Sequence, residues 1–541
     1  MRGAILVCGT SSDAGKSLLV AGICRWLARC GVRVAPFKAQ NMALNSVVTA
    51  DGREVARSQA MQAQAAGVEL EAAMNPILLK PSGPRRSQVV LLGRPHGDVD
   101  ARSYQQLKGK LRPLVLEALA GLRERFEVVV CEGAGSPAEI NLREADLVNM
   151  GLARAASLPV IVVADIERGG VFASLLGTLA LLEPADQAHV AGFVINRFRG
   201  EPEILRPGLE QLERLTGRPV LGVLPYREGL WLDAEDSLAL ASLSAERIDA
   251  ARRADGAGRS GEGGRPAPSR VAPGSPASAL GSPPLEVAVV RLRYISNFTD
   301  VDALRAEPHV RVLFTASVAD VRRADLVIVP GTKATVEDLE RLRASGVARA
   351  LQQRAAVGAP LLGICGGYQM LGELIDDQVE SGRGTVPGLG LLPVRTRFAP
   401  TKLLRRRRGH CPWLGTSAEG YEIRHGHPQP RAGVKPLLIA DDGEPEGCRA
   451  GAVLGLSWHG ALEHDQFRRA LLAWAGRQRG IEFAPGERSF AELREAQLEM
   501  LGELIAAHLD TEQLAGLIEG GPPAELPAIR TTLEPRACCA S

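Results

Sequence analysis

The stretch LLGICGGYQMLGE, residues 361–373, sets one cysteine between glycines where an apolar run gives way to a helical pattern. A cysteine on a sharp strand-to-helix turn holds its sulfur above the edge of a sheet, and the helix N-terminus behind it favours the thiolate. The flanking Gly363, Gly366 and Gly367 relieve crowding and let backbone N–H groups face an oxyanion. Cys365 is therefore the candidate nucleophile. Its base must come from a distant part of the chain, and AVLGLSWHGALEHD supplies His459 just past another apolar run. His464 competes for that role but falls in a polar helix start. Gly331 and Thr332, within IVPGTKAT, join Gly366 as candidate oxyanion donors.

A second turn of the same kind opens the chain. In ILVCGTSSDAGKSLLVAG a strand-like run leads into Gly9, Thr10, Asp13, Gly15, Lys16 and Ser17, and a helical pattern follows. Phosphate oxygens need many N–H donors in a tight arc, and a glycine loop at a helix N-terminus supplies them. The spacing differs from the common phosphate loop, with five residues between the two glycines where that loop has four. Lys16 is expected to reach the β- and γ-phosphates of ATP, and the Ser17 hydroxyl to meet Mg²⁺. Glu132 in VVVCEGAGS and Asp165 in VIVVADIERGG end apolar runs, at the sheet edge where open α/β folds hold ligands. Both are candidate metal ligands beside Ser17, with a helix N-cap as the alternative reading. Lys38 in KAQNM is a phosphate or substrate clamp, or else a solvated lysine.

These turns need strands and helices to hold them. AILVCG, VRVAPF, FEVVVCEG, LPVIVVAD, HVAGFVIN and RPVLGVLP are continuous apolar runs, which suit strands buried on both faces. LEVAVVRL, HVRVLFT, ADLVIVPG and APLLGICGG repeat the pattern further on. The expected class is α/β, with two doubly wound, mostly parallel sheets covered by helices. Residues 1–245 form the phosphate-loop domain, 246–284 a flexible Gly/Pro/Ser/Arg-rich linker, 285–480 the cysteine-bearing domain, and 481–541 C-terminal helices and a tail. At 541 residues the chain is too long for one core. A formal net charge of +2 gives no electrostatic case for nucleic acid or membrane partners, and no apolar run reaches the ~20 residues of a membrane span. Nine scattered cysteines, without zinc spacing, argue against a disulfide framework or a metal cluster. The N-terminal residues read as the first strand and the protein as cytoplasmic. The run Arg405 to Arg408 reads as a solvated loop.

GICGGYQ resembles the nucleophile turn of class I glutamine amidotransferases. That class usually carries a glutamate two residues after the histidine. Here the residue is Ala461, with Glu463 out of register, which implies a Cys-His dyad or a third member from elsewhere. The first domain resembles P-loop amide-forming enzymes related to dethiobiotin synthetase, and by that resemblance Asn196 in VINRF lies on the adenine side. KAQNMALNS, SPAEINL, DIERGGVFASLLGT, RYISNFTDVDAL and EGYEIRHG together resemble the cobyric acid synthase family from about Gly3 to Gly480, apart from the linker. Arg424 stands where that family leads one to expect histidine. The resemblance implies amidation of the b, d, e and g carboxylates of adenosylcobyrinic acid a,c-diamide, with glutamine as nitrogen donor and ATP hydrolysed. Its partners are then small molecules: corrinoid, glutamine and ATP. A cobyrinic acid a,c-diamide synthase is the near alternative, disfavoured by KAQNM and YISNFTD. A P-loop ATPase switch with an inactive amidotransferase module is disfavoured by the intact Cys365 and His459, and a CTP-synthase-like ligase by the missing glutamate.

Overall fold

Continuous apolar strands must be covered on both faces, and the computed structural model shows how this chain does so. It describes residues 1–83, 85–232 and 283–529. Nearly all of the expected linker at 246–284 lies outside the described residues. The chain forms two compact units: Met1–Glu235 with Ala491–Ser541, and Asp236–Phe490.

In the first unit, six parallel strands make one sheet: β1 (Gly3–Gly9), β2 (Val34–Phe37), β3 (Val128–Glu132), β4 (Val160–Asp165), β5 (Val190–Phe198) and β6 (Val220–Pro225). Their order is β6-β5-β4-β1-β3-β2. Because β1 lies between β3 and β4, Gly9, Glu132 and Asp165 reach the same carboxyl edge. That edge is where parallel α/β sheets bind ligands. Helix α1 (Lys16–Arg29) follows the phosphate loop, and α2 (Arg57–Ala66) packs beside it.

The C-terminal helices, expected as a separate segment over 481–541, belong to this first unit from Ala491 onward. Phe490–His508 and Thr511–Gly520 place Leu498, Leu501, Ile505, Leu514 and Ile518 in one buried cluster with Ile5, Leu19 and Ile23. The fit is close. A Cβ on Gly22 of α1 would lie 2.8 Å from Ile505 Cγ1 and 3.1 Å from the Leu501 carbonyl oxygen. Arg25 on the same helix pairs with Glu495 at 2.7 Å and Glu499 at 3.1 Å.

The second unit carries β7 (Leu285–Val290), β8 (Val310–Thr315), β9 (Leu326–Val329), β10 (Leu361–Ile364), β11 (Val394–Cys411), β12 (Thr416–Pro430), β13 (Cys448–Ala450) and β14 (Val453–Leu456). Its main sheet runs β8-β7-β9-β10-β14-β13, parallel except for the last pair. Both sheets are doubly wound and mostly parallel, as the apolar runs predict. Strands β11 and β12 form a long antiparallel hairpin. The four arginines 405–408 lie within β11, so the loop reading is corrected. Arg405 sits opposite Glu422 and bonds to it, and also meets Glu444 at 2.7 Å, while Arg407 meets Asp442 at 2.6 Å. Cross-strand charge pairs let a strand carry so many cations. Among the described residues, no helix is long and apolar enough to cross a membrane.

Leu498 is fully buried against α1. Leu498→Ala is expected to destabilise the first unit by about 2–5 kcal/mol. Urea unfolding monitored through the transition that ATP shifts upward would report it.

Candidate active site

Strand β10 ends at Ile364 and a short helix runs Gly366–Leu371, with Cys365 between them at φ 49° and ψ −109°. A residue with a side chain is strained in that conformation and keeps it only when its surroundings hold it. The Cys365 N–H donates to the Leu456 carbonyl at 2.8 Å, and the Gln369 N–H donates to the Cys365 carbonyl at 3.0 Å. The glycines allow a close approach to the loop after β9. A Cβ on Gly367 would lie 1.9 Å from the Val329 oxygen, and one on Gly366 would lie 3.0 Å from the Thr332 nitrogen. Cys365 itself is buried, with Sγ 4.0 Å from the Ile423 carbonyl of β12.

His459 follows β14 and is 1% exposed. Its backbone exchanges two 2.9 Å hydrogen bonds with Tyr421 of β12. Cys365 lies within electrostatic reach of the His459 ring, and Nδ1 lies 2.7 Å from Asp300 Oδ2. The other Asp300 oxygen accepts the Gly460 N–H at 2.8 Å. With Asp300 ionised, Nδ1 carries the proton. Burial alone would lower the imidazole pKa. The negative charge of Asp300, then that of Cys365, overrides burial and pushes His459 up to about 10. The structure thus joins Cys365 to His459 and adds a third member that sequence reasoning missed. Asp300 stands 159 positions before His459, inside RYISNFTDVDAL. That motif carries the family resemblance but no sign of pairing with histidine. His464 instead meets the Ser417 hydroxyl, at 3.4 Å.

The expected oxyanion residues gather at the same turn. The backbone pairing of Ile295 with Thr332 uses the Ser296 and Lys333 N–H groups, which leaves the Thr332 N–H pointing to the other side. The Thr332 hydroxyl donates to Asp338 Oδ2 at 2.5 Å, and Asp338 also accepts the Arg293 and Tyr294 N–H groups. Burial raises the Asp338 carboxyl pKa. The Gly366 N–H opens a helix and has no intrahelical partner. Gly331 provides space, because a Cβ there would lie 2.7 Å from His459 Cε1.

In the first unit the phosphate loop connects β1 to α1. Gly15 takes φ 101° and Asp13 φ 59°, and the Thr10 N–H donates to Val163 of β4 at 3.0 Å. Lys16 is buried, its ammonium 2.8 Å from the Ser11 carbonyl and 3.2 Å from that of Gly135. A Cβ on Gly9 would lie 3.1 Å from that ammonium. Fully buried Glu132 receives three donors: the Ser17 hydroxyl at 2.8 Å, Lys38 at 2.9 Å and the Gln62 amide at 2.5 Å. Lys38 is therefore buried and paired, which removes the solvated alternative. Gln62, on α2, is a second residue that sequence reasoning missed. Asn196 lies against the loop: its amide donates to the Ala14 carbonyl at 3.1 Å, and a Cβ on Gly15 would lie 2.0 Å from Asn196 Nδ2.

Asp165 does not share these bonds. Arg197 meets its carboxylate at 2.8 Å and the Glu167 N–H donates to it at 2.8 Å in a local turn, while the following helix, Val171–Ala180, has Gly170 at its N-cap, so the capping alternative is not met either. Among the described residues, no group of three or more His, Cys, Asp or Glu could hold a metal. The Ser17 hydroxyl and Glu132 carboxylate form an all-oxygen pair, and this fits Mg²⁺, which takes one or two protein ligands alongside phosphates and waters.

A doubly wound unit with a cysteine on a strand-to-helix turn, set against a buried histidine, defines a glutamine amidotransferase-like protein, here joined to a phosphate-loop unit. Residues 286–467 match the CobB/CobQ-like glutamine amidotransferase domain family, and residues 5–239 match the CobQ/CobB/MinD/ParA nucleotide binding domain family. The chain belongs to the cobyric acid synthase family. It is 58% identical to the cobyric acid synthase of Frankia casuarinae, over 98% of this chain and 99% of that protein. The corresponding enzyme of Saccharopolyspora erythraea is 53% identical over 97% of this chain and 96% of its own length. That of Streptomyces coelicolor is 54% identical over 98% and 99%.

A pKa raised from 6.5 to about 10 means that folding favours the His459 imidazolium. Its contribution to stability is complete below the unfolded value and is lost as pH rises through about 10. Asp300→Asn removes the main source of that shift. Ammonia release from glutamine should fall by about 10²–10⁴-fold, and its alkaline limb should move down toward neutral pH. A pH–rate profile of glutamine hydrolysis checks both effects.

Proposed function

We propose that the chain converts adenosylcobyrinic acid a,c-diamide to cobyric acid by amidating its b, d, e and g carboxylates, with glutamine as nitrogen donor and ATP as the activating substrate. The observation that carries this reading is the Cys365–His459–Asp300 group in a chain that also holds Lys16, Ser17 and Glu132 at a phosphate loop. The cobyric acid synthases it resembles align over nearly its whole length.

In the amidotransferase unit, the Cys365 thiolate attacks the glutamine side-chain carbonyl carbon. The N–H groups of Thr332 and Gly366 face the resulting oxyanion. His459 gives its proton to the departing nitrogen, which leaves as ammonia, and a thioester remains. His459 then takes a proton from water as the water attacks the thioester, which releases glutamate and restores the thiolate. Asp300 keeps the ring in the correct tautomer through both steps.

A carboxylate is a poor electrophile for ammonia. In the nucleotide unit, a substrate carboxylate oxygen attacks the γ-phosphorus of ATP, ADP leaves, and an acyl phosphate forms. Ammonia attacks the acyl carbon, the C–O bond breaks, phosphate departs, and the amide nitrogen loses its extra proton. Lys16 neutralises the transferring phosphoryl group. Ser17 and Glu132 would hold Mg²⁺, which when bound offsets phosphate charge. Lys38 and Gln62 keep the Glu132 carboxylate oriented. Asn196 is read as lying on the adenine side, and Asp165 as a support for Arg197. The need for ATP, together with seven free thiols among the described cysteines, supports a cytoplasmic site of action.

Cys365→Ala should abolish turnover with glutamine and retain it with ammonium salts. Mass spectrometry of the corrinoid should count four added amides per a,c-diamide. Glutamine-driven turnover by the variant would overturn the nucleophile assignment. Acceptance of cobyrinic acid itself, with two amides added, would mark an a,c-diamide synthase.

A further inference from the structure

Lys108 lies on the Ala101–Arg125 helix of the first unit and is only 8% exposed. Its stem is packed away while the ammonium still reaches solvent, and a cation in such partly desolvated surroundings gains from an anionic acceptor. Among the described residues, no hydrogen bond or ion pair satisfies this one. Its neighbours are the Tyr104 ring, with the ammonium 5.7 Å from the ring centroid, and Asp146. The Asp146 carboxylate is already engaged, accepting the Val148, Asn149 and Gly151 N–H groups at 2.9, 3.0 and 2.8 Å. Desolvation lowers the Lys108 pKa, and the Asp146 charge only partly offsets it.

The loop after Glu132 supplies the Gly135 carbonyl that Lys16 meets, then runs through the turn Ile140–Ala145 to Asp146. That turn packs on the Lys108 helix and presents Ile140, 63% exposed, and Leu142. On the other side, the Tyr104 hydroxyl donates to Gln40 at 2.5 Å, and Met42 two residues on is 53% exposed. Gln40 follows Lys38, which holds Glu132. A largely desolvated lysine without a protein acceptor thus lies on a helix that packs against a turn bearing exposed apolar side chains, beside segments whose Gly135 and Lys38 meet Lys16 and Glu132.

We propose that Lys108 binds a carboxylate of the corrinoid substrate, with Ile140, Leu142 and Met42 covering part of the apolar macrocycle. This rests on the proposed function for its ligand. A macrocycle rimmed with carboxylates and amides matches the combination of an acceptor-seeking ammonium and an apolar border. Bound here, the substrate turns a carboxylate edge toward the ATP site.

The test is calorimetric titration of adenosylcobyrinic acid a,c-diamide into the full-length protein without ATP, beside a separate titration with ATP. Lys108→Met keeps the side-chain stem and removes the charge. It should weaken corrinoid binding about 10- to 100-fold while ATP affinity stays constant. Lys108→Arg, which keeps the charge, should bind within a few-fold of wild type, and Lys108→Gln serves if the methionine variant does not fold. Corrinoid binding by the neutral variants equal to wild type would overturn the proposal, with the lysine acting only as packing. A fall in ATP affinity in place of corrinoid affinity would overturn it in favour of a phosphate contact. Wild-type protein that binds the corrinoid without amidating it would sink the functional reading and leave the Lys108 site standing. Wild-type protein that does not bind the corrinoid would sink both.

Discussion

The contact between the Asp300 carboxylate and the His459 imidazole governs the glutaminase half of the molecule. Both side chains are almost fully removed from water, and bringing either charge in alone would be costly. Together with Cys365 they form a set in which each charge supports its neighbour. The Gly460 N–H, on the second Asp300 oxygen, fixes the carboxylate and ties it to the residue after the histidine. The stretch after β7 supplies Asp300, the turn after β10 Cys365 and the stretch after β14 His459. These strands are close in the sheet order β7-β9-β10-β14, so residues remote in sequence meet at one carboxyl edge.

The nucleotide half meets the same constraint in another way. Glu132 is fully buried, and three donors from three segments satisfy it: Ser17 from the phosphate loop, Lys38 from beyond β2 and Gln62 from α2. A carboxylate held by an ammonium, a hydroxyl and an amide keeps its direction in a dry setting. Losing one donor would leave the others bonded but free to turn the carboxylate. In both units a buried acid is satisfied by donors from other segments, and the sheet edge brings those donors to it.

Much of this could be read from the chain alone. The glycines flanking Cys365 mark close approaches that a Cβ would block, and Gly15 before Lys16 marks a left-handed backbone, so they announce their turns locally. Continuous apolar runs announce buried parallel strands in the same way. Asp300 gave no such signal, because an aspartate in a short 3-10 turn has many ordinary uses, and only tertiary contact shows its partner. The Asp165 assignment met the opposite difficulty. A strand-end acid suits a metal ligand, but Arg197 on neighbouring β5 reaches it first. The arginines of β11 looked like a solvated loop because the acids that balance them lie on other segments. Helical periodicity in the last 50 or so residues told of a helix needing cover, without telling which surface provides it.

The C-terminal helices change how the whole chain must be regarded. The polypeptide leaves the first unit after Glu235, forms the second, and returns at Ala491 to cover α1. The amidotransferase unit is thus an insertion within the nucleotide unit. Without Phe490–His508, the apolar face of α1, the helix that begins with Lys16 and Ser17, would lose part of its cover. During synthesis the first unit cannot complete its core until nearly the last residues emerge, whereas the second has all its strands well before then. Closing so long a loop costs little more entropy than closing one half its length. The close packing of Gly22 against Ile505 and the pairing of Arg25 with Glu495 and Glu499 can therefore make the return specific. The phosphate loop reaches its final support only in a chain that already carries its glutaminase, so a truncated product holding the nucleotide unit alone lacks the helices that complete it.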